Sequence, residues 1–239
     1  GFKVLDFSKL KITISGGTAL TTNAVEMWKN TTGCSISEGY GLSETSPVVC
    51  FNQPGKERLG TVGTPVAGTE IQLWDDNDKI VEEGQIVVKG PQVMAGYWNM
   101  PDETAKVISK NGFLKTGDVG VRLDDGSIKI VDRLKDMIIV SGFNVYPNEI
   151  EDVVAGHPGV ENCAVIGVPS DKTGEAVKLF VVPSDPSLTA DDIKEYCKDK
   201  LTAYKMPRQI EFREDLPMTP VGKILRRELK DEEEAKRNA

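Results

Sequence analysis

Histidine is almost absent from this sequence. The 239-residue chain has one, His157, which excludes a two-histidine metal site and leaves any histidine-based triad a single candidate. The four cysteines, Cys34, Cys50, Cys163 and Cys197, show no C-x-x-C spacing. Their scatter reads as buried thiols in a reducing cytosol rather than as a disulfide frame or a zinc knuckle. Excess positive charge is also missing: 29 Lys and Arg against 37 Asp and Glu leave a net charge of −8. Residues 1–132 carry 13 basic and 17 acidic side chains and residues 133–239 carry 16 and 20, so both halves are −4, with no basic arm. A nucleic-acid module held by phosphate contacts is therefore not expected. No hydrophobic run approaches the ~18–20 residues that span a bilayer. Repeats and low-complexity tracts are absent, and Gly1-Phe2-Lys3-Val4 shows neither an initiator Met nor the layout of a signal peptide. What remains, 39 % hydrophobic and 28 % charged residues, is the balance of a folded chain with one large or two small domains.

The pattern of residues changes along the chain. Lys11-Ile12-Thr13-Ile14 alternates as a strand and stops at Ser15-Gly16-Gly17-Thr18. A helix is predicted from about Thr22 to Thr31, then a strand over Cys34–Glu38 that runs into Gly39-Tyr40-Gly41-Leu42-Ser43-Glu44-Thr45. That order is the grammar of a layered α/β core. From Gly60 to Asp132, short β-rich runs lie between Gly-, Pro- and Asp-rich turns, with a hairpin signal at Asp124-Asp125-Gly126 and one helix over Pro101–Lys110. This stretch reads as a small, mainly antiparallel, barrel-like β unit. Beyond Arg133, strands over Asp136–Ser141, Ala164–Val168, Lys178–Val182 and Gln209–Phe212 alternate with helices over Pro147–Ala155, Ala190–Leu201 and Lys223–Arg237, a compact α+β unit. The expected division is 1–132 and 133–239.

Several segments have the residue types for chemistry. Gly16-Gly17 ahead of a helix lets a backbone approach an anion, although an isolated Gly-Gly is more often a tight turn. The Gly39–Glu44 loop offers an aromatic face, a hydroxyl and a carboxylate. These suit a base, a phosphate and Mg²⁺ respectively, although a lone loop of this kind is more often structural. Asp118, in Thr116-Gly117-Asp118, can accept from ribose hydroxyls as acidic residues do in dinucleotide sites, or simply bond its own turn. Asp132-Arg133-Leu134-Lys135-Asp136 reads by default as surface ion pairing. Lys223, Arg226, Arg227 and Lys230 fall at i, i+3, i+4 and i+7, a solvated basic helix face. Pro217, Pro220 and Gly222 also stiffen the approach to Lys223 and present it at a loop tip, where it can offer a point charge to phosphate. His157, in Gly156-His157-Pro158-Gly159, is expected to satisfy the end of a helix.

Together and in this order, these segments resemble the adenylate-forming enzymes, specifically the acyl-CoA synthetases. Gly90-Pro91-Gln92-Val93-Met94-Ala95-Gly96-Tyr97-Trp98, Val140–Glu151 and Gly222-Lys223-Ile224-Leu225-Arg226-Arg227 look most like bacterial long-chain fatty-acid–CoA ligases. The resemblance implies ATP, Mg²⁺, fatty acid and CoA as ligands: the acid is first joined to AMP with release of pyrophosphate, then transferred to the CoA thiol. It implies Tyr40 against adenine with Gly41 beside it, Asp118 and Arg133 on the ribose, and Gly16, Gly17 and Thr18 between adenine and the acyl pocket. Ser43 would lie near phosphate, Glu44 would hold Mg²⁺, and Lys223 would be the catalytic lysine. Lys135 matches the hinge of a rotating C-terminal domain, and Gly142 and Phe143 match the tunnel for the CoA arm. A cytoplasmic location follows, with peripheral contact at the inner membrane face left open, as is the oligomeric state. Loading a carrier-protein thiol and a non-catalytic nucleotide- or partner-binding module are the competing readings. Gln85 departs from the acidic residue the pattern has after Gly84. The family's Ser/Thr/Gly-rich phosphate loop is not found, so the expectation is the C-terminal portion of a synthetase, without full ligase activity by itself.

Overall fold

The computed structural model describes residues 2–17, 20, 22–220 and 222–238. Thr18 lies outside the described residues. The chain divides into two compact units, Gly1–Val131 and Asp132–Ala239.

In the first unit, β1 (Thr13–Gly16) and β2 (Ile36–Gly41) run parallel, with Gly16 opposite Gly39. Parallel neighbours need a crossover, which α1 (Thr22–Thr32) supplies. β2 starts later than the sequence pattern suggests because Cys34 closes the helix end, its N–H donating to Thr32 Oγ1 at 3.1 Å. β3 (Val48–Phe51) and β4 (Thr64–Pro65) complete the sheet in the order β1-β2-β3-β4.

A second sheet follows in the order β5 (Glu70–Trp74), β6 (Glu83–Lys89), β7 (Leu114–Arg122) and β8 (Ile128–Arg133). This corrects the barrel-like expectation: the sheet is open, with β5 and β8 at its two ends. Asp124–Gly126 does make the β7–β8 turn, with Leu123 N–H donating to the Ser127 carbonyl at 2.9 Å. α2 (Pro101–Val107) stops short of Lys110, since Ile108 adopts an extended backbone and bridges Leu114. Ile71, Leu73, Ile86, Val88 and Ile128 pack with Val49 and Cys50 of β3, so both sheets share one core.

The second unit contains β9 (Ile138–Val140), β10 (Phe143–Val145), α3 (Pro147–Ala155), β11 (Val160–Ser170), β12 (Gly174–Pro183), α4 (Ala190–Lys198), β13 (Gln209–Phe212) and α5 (Arg226–Asn238). Its sheet runs β10-β9-β12-β11, and β13 pairs in parallel with β12. Strand alternation sends Cys163, Val165, Val177, Leu179 and Val181 to the face covered by Ile150 and Val154 of α3 and Ile193 and Cys197 of α4. Ala164, Ile166, Phe180 and Val182 face the other way, onto Leu216 and Leu229. α3 begins with Pro147, a residue preorganised for the first helical position. Thr189 and Asp192 form a capping box at the start of α4.

Three sequence expectations fail in this unit. α5 begins at Arg226 because Met218 bridges Ile224 and the Lys223 carbonyl accepts from Thr219 N–H at 2.8 Å, which commits the Lys223 backbone to a hairpin-like turn. The basic face dissolves accordingly: Lys223 is off the helix, Arg226 is half-buried against Glu151, and Lys230 reaches Asp136. Arg227 alone keeps the solvated role, 3.7 Å from Asp231. Asp132 is not a surface charge either, being only 1 % exposed. Its carboxylate accepts from Arg133 N–H at 2.7 Å and Asn148 N–H at 2.8 Å.

His157 serves its own turn: its Nδ1 accepts from Gly159 N–H at 3.0 Å and its ring meets Tyr196 edge-on. All four thiols are free, three of them buried, and burial pushes Cys50 and Cys163 up to about 12. No helix among the described residues is long and apolar enough to cross a membrane.

Candidate functional site

The end of β2 and the loop after it carry most of the candidate residues of the first unit. Gly16 and Gly39 face each other where β1 meets β2; a Cβ on Gly16 would stand 3.1 Å from the Gly39 carbonyl oxygen. Gly17 has φ +90°, a left-handed conformation that glycine adopts without steric cost. Gly41 is needed for a different reason: a Cβ there would lie 1.8 Å from the Pro47 carbonyl oxygen. The chain turns back that tightly because Thr45, fully buried, closes the loop. Its hydroxyl donates to the Pro47 carbonyl at 2.6 Å and accepts from Leu42 N–H at 3.0 Å. Ser43 and Glu44 lie in the 3₁₀ turn Ser43–Thr45 that results.

Tyr40 points into the unit and Asp118 meets it from β7. Tyr40 Oη donates to Asp118 Oδ2 at 2.6 Å, and Asp118 is 5 % exposed. Burial raises the Tyr40 pKa above its ordinary value, and the Asp118 charge and hydrogen bond raise it further. The phenol therefore stays protonated and remains the donor. Thr116 supports Asp118 from the same strand, its Oγ1 donating to the Ile86 carbonyl at 2.8 Å and accepting from Asp118 N–H at 3.1 Å.

Glu44 is half-buried and accepts from Tyr97 Oη at 3.0 Å. It forms part of the wall of a cavity of about 320 Å³ that Tyr97, Gln85, Thr116 and Gly117 also line, together with the basic side chains Lys106 and Lys115. Gln85, the departure from the family pattern, turns its Oε1 to Gly117 N–H at 3.3 Å. Tyr40, Ser43 and Asp118 are not in that wall. Among the described residues no group of three or more His, Cys, Asp or Glu could hold a metal ion. A lone carboxylate nevertheless fits Mg²⁺, which is usually held by one or two carboxylates and completes its shell with waters and substrate phosphates.

The remaining candidates lie in the second unit. Arg133 ends β8 and is exposed. Lys135 sits exposed in the 3₁₀ turn Leu134–Asp136, its carbonyl accepting from Lys230 Nζ at 3.3 Å. Ser141 (φ +52°) and Gly142 (φ +85°) make the two-residue turn between β9 and β10. Two consecutive positive φ values are the signature of a type I′ hairpin. The requirement for glycine at 142 is thus conformational, since a Cβ there would meet nothing within 4 Å. Phe143, 55 % exposed, stacks on Tyr204 with centroids 4.7 Å apart. Lys223 is exposed near the end of the Pro217–Leu225 turn, its N–H donating to Thr219 Oγ1 at 3.1 Å.

Sequence reasoning missed Thr45, Thr116 and Tyr97 as supports of this site. Tyr97 lies inside the Gly90–Trp98 segment that carried the resemblance, so a signal existed for it. Thr45 and Thr116 act through backbone groups, which leave no pattern in side-chain type.

Two family models match the chain: AMP-binding enzyme over residues 2–98 and AMP-binding enzyme C-terminal domain over residues 149–223. The chain is 53 % identical over 239 residues to the long-chain-fatty-acid–CoA ligase of Salmonella typhimurium, covering 98 % of this chain and 42 % of the relative. It is 42 % identical to the enzyme of that name from Bacillus subtilis, covering 95 % of this chain and again 42 % of the relative. ATP-bound MatB from Rhodopseudomonas palustris superposes with a TM-score of 0.88 at 34 % identity, over 92 % of this chain and 45 % of that one. The chain therefore spans less than half the length of the proteins it matches. Within that span, the two family models and the order of the motifs agree, and the chain belongs to the AMP-binding enzyme family.

Proposed function

We propose that this chain is part of an ATP-dependent long-chain fatty-acid–CoA ligase. The Tyr40–Asp118 hydrogen bond supports this reading most strongly. It joins an aromatic ring to a buried carboxylate from distant parts of the sequence, the pair of groups an adenosine needs for its base and its ribose. In the first unit, Tyr40 stacks on adenine, with Gly16 and Gly41 beside the nucleotide and Gly17 leaving room for close backbone approach. Asp118 accepts from the ribose hydroxyls. Ser43 and Glu44 are assigned to the phosphates, and Glu44 would hold Mg²⁺, which would supply positive charge there. In the second unit, Arg133 is assigned to the nucleotide, Lys135 to the pivot, Gly142 and Phe143 to the thiol arm of CoA, and Lys223 to catalysis.

The reaction has two displacements. A carboxylate oxygen of the fatty acid bonds the α-phosphorus as pyrophosphate leaves. The CoA sulfur then bonds the acyl carbon, AMP departs, and the thiol proton is released. Charge accumulates on the phosphate oxygens in the first displacement, where a preplaced ammonium such as that of Lys223 stabilises it. The location implied is cytoplasmic, where ATP, CoA and reduced thiols coexist, with any membrane contact peripheral.

The test uses the full-length enzyme and separates the half-reactions. Lys223→Ala is expected to lower fatty-acid-dependent ATP–pyrophosphate exchange on the order of 10²–10³-fold or more, while transfer from supplied acyl-adenylate to CoA survives. Equal loss of both steps, or exchange that persists, overturns the assignment. Offering CoA beside a phosphopantetheinyl carrier protein decides the acceptor.

A further inference from the structure

α5 carries Arg226 three residues beyond Lys223, and several ion pairs contribute to its hold on the unit. Leu229 is its one buried residue among those described. Arg226 Nη2 donates to Glu151 Oε2 at 2.5 Å and to Asn148 Oδ1 at 2.6 Å, and Nε donates to Glu151 Oε1 at 3.2 Å. Glu151 is anchored in turn, with Val165 N–H donating to Oε1 at 2.7 Å. Asn148 links onward, since its N–H donates to Asp132 Oδ2 at 2.8 Å, and Asp132 opens the 132–136 segment that contains Lys135. One helical turn after Arg226, Lys230 Nζ reaches the Lys135 carbonyl at 3.3 Å and Asp136 at 3.4 Å. Lys230 thus holds one end of these five residues directly, and Arg226 holds the other through Asn148.

We propose that Arg226 is a positioning residue that, with Lys230, clamps the Lys223-bearing turn to the 132–136 segment, so that lysine and pivot move as one body. This rests on the reading of Lys223 and Lys135 given above. The guanidinium suits the task because its planar fork fixes direction as well as distance. An apolar replacement of Arg226 alone would leave Glu151 buried without its counter-charge, which is destabilising, and nothing would then set the angle at which α5 starts. The Pro217–Leu225 turn is continuous with that start, through Leu225 N–H donating to the Pro217 carbonyl at 2.8 Å. An error at Arg226 is therefore passed to Lys223.

The experiment compares Arg226→Met, Arg226→Lys and Lys223→Ala in the full-length enzyme, in both half-reactions. Arg226→Met is expected to lower kcat for ATP–pyrophosphate exchange about 10- to 100-fold, the scale of a small misplacement. The KM for ATP should stay nearly unchanged, and transfer from supplied acyl-adenylate should be largely retained. Arg226→Lys should recover part of the exchange. Equal loss from both half-reactions, a loss confined to KM, or no loss at all overturns the clamp. If Lys223→Ala leaves exchange intact, the catalytic reading fails and the clamp with it; if Lys223→Ala abolishes exchange and Arg226→Met is silent, only the clamp fails. Should Arg226→Met not fold, Lys230→Met loosens the other grip from a partly exposed position and is read by the same criteria.

Discussion

Tyr40 Oη lies 2.6 Å from Asp118 Oδ2, a contact between side chains 78 residues apart. It ties the end of one sheet of the first unit to the middle of the other. Tyr40→Phe removes a hydrogen bond to a buried carboxylate, and such bonds contribute about 1.5–3 kcal/mol. The variant should unfold at correspondingly lower denaturant. In the full-length enzyme its KM for ATP should rise more than its kcat falls.

Tyr97 holds Glu44 through one exposed hydrogen bond. Tyr97→Phe should therefore shift stability by less than about 0.5 kcal/mol, the usual range for surface changes. Its effect should be seen in a Mg²⁺ titration of pyrophosphate exchange, as a higher half-saturating concentration. An unchanged titration would separate Glu44 from the metal.

Two glycines should respond differently to alanine. At Gly41 the new Cβ would stand 1.8 Å from the Pro47 oxygen, so the loop must open, with a cost of at least about 1–3 kcal/mol. At Gly142 there is space, and the cost is that of a left-handed L-residue, about 1–2 kcal/mol. If Gly142 also borders the path of the CoA arm, Gly142→Ala should slow transfer to CoA more than adenylation. Paired stability and half-reaction measurements resolve the two effects.

An acid-sensitive contact holds α5 to the sheet. Lys178, 6 % exposed, lies 2.8 Å from Glu211 and 2.6 Å from Glu233. Burial pushes the Glu211 carboxyl up, but hydrogen bonds from Lys178 and Lys236 and the charge of Lys178 outweigh it and leave its pKa at about 2, against 4.5 unperturbed. A depressed carboxylate pKa stabilises the fold above the unfolded value and loses that contribution as pH falls. The stability difference between wild type and Glu211→Gln should be full at pH 7, shrink below about 4.5 and vanish near 2. A difference that is constant across this window would contradict the ion pair.

The 239-residue chain by itself is expected to show no fatty-acid-dependent ATP–pyrophosphate exchange, because it spans 42 % of the ligases it matches and the phosphate loop is absent from its sequence. Robust exchange by the purified chain would show that the segment is sufficient.

Local chemistry accounts for what was legible in advance. α3 occupies Pro147–Ala155 and β13 occupies Gln209–Phe212, the ranges expected from the sequence. The hairpin at Asp124–Gly126 and the exposed turn that presents Lys223 are likewise short-range, set by Gly, Pro and Asp within a few positions. The mixed α/β class followed from the same signals.

Sequence by itself determined many of the elements, the short-range turns and the membership in a family, because each depends on neighbours along the chain or on a run of residue types. Tertiary structure decided which charges are buried. Asp132 and Arg226 stand in runs that read as solvated, and only packing brings Asn148 and Glu151 to them from α3. It likewise decided that Tyr40 meets Asp118 and that α5 waits until Arg226. A charged side chain is soluble anywhere along an unfolded chain; whether it is buried depends on distant residues arriving with the complementary charge, and no local pattern records that arrival.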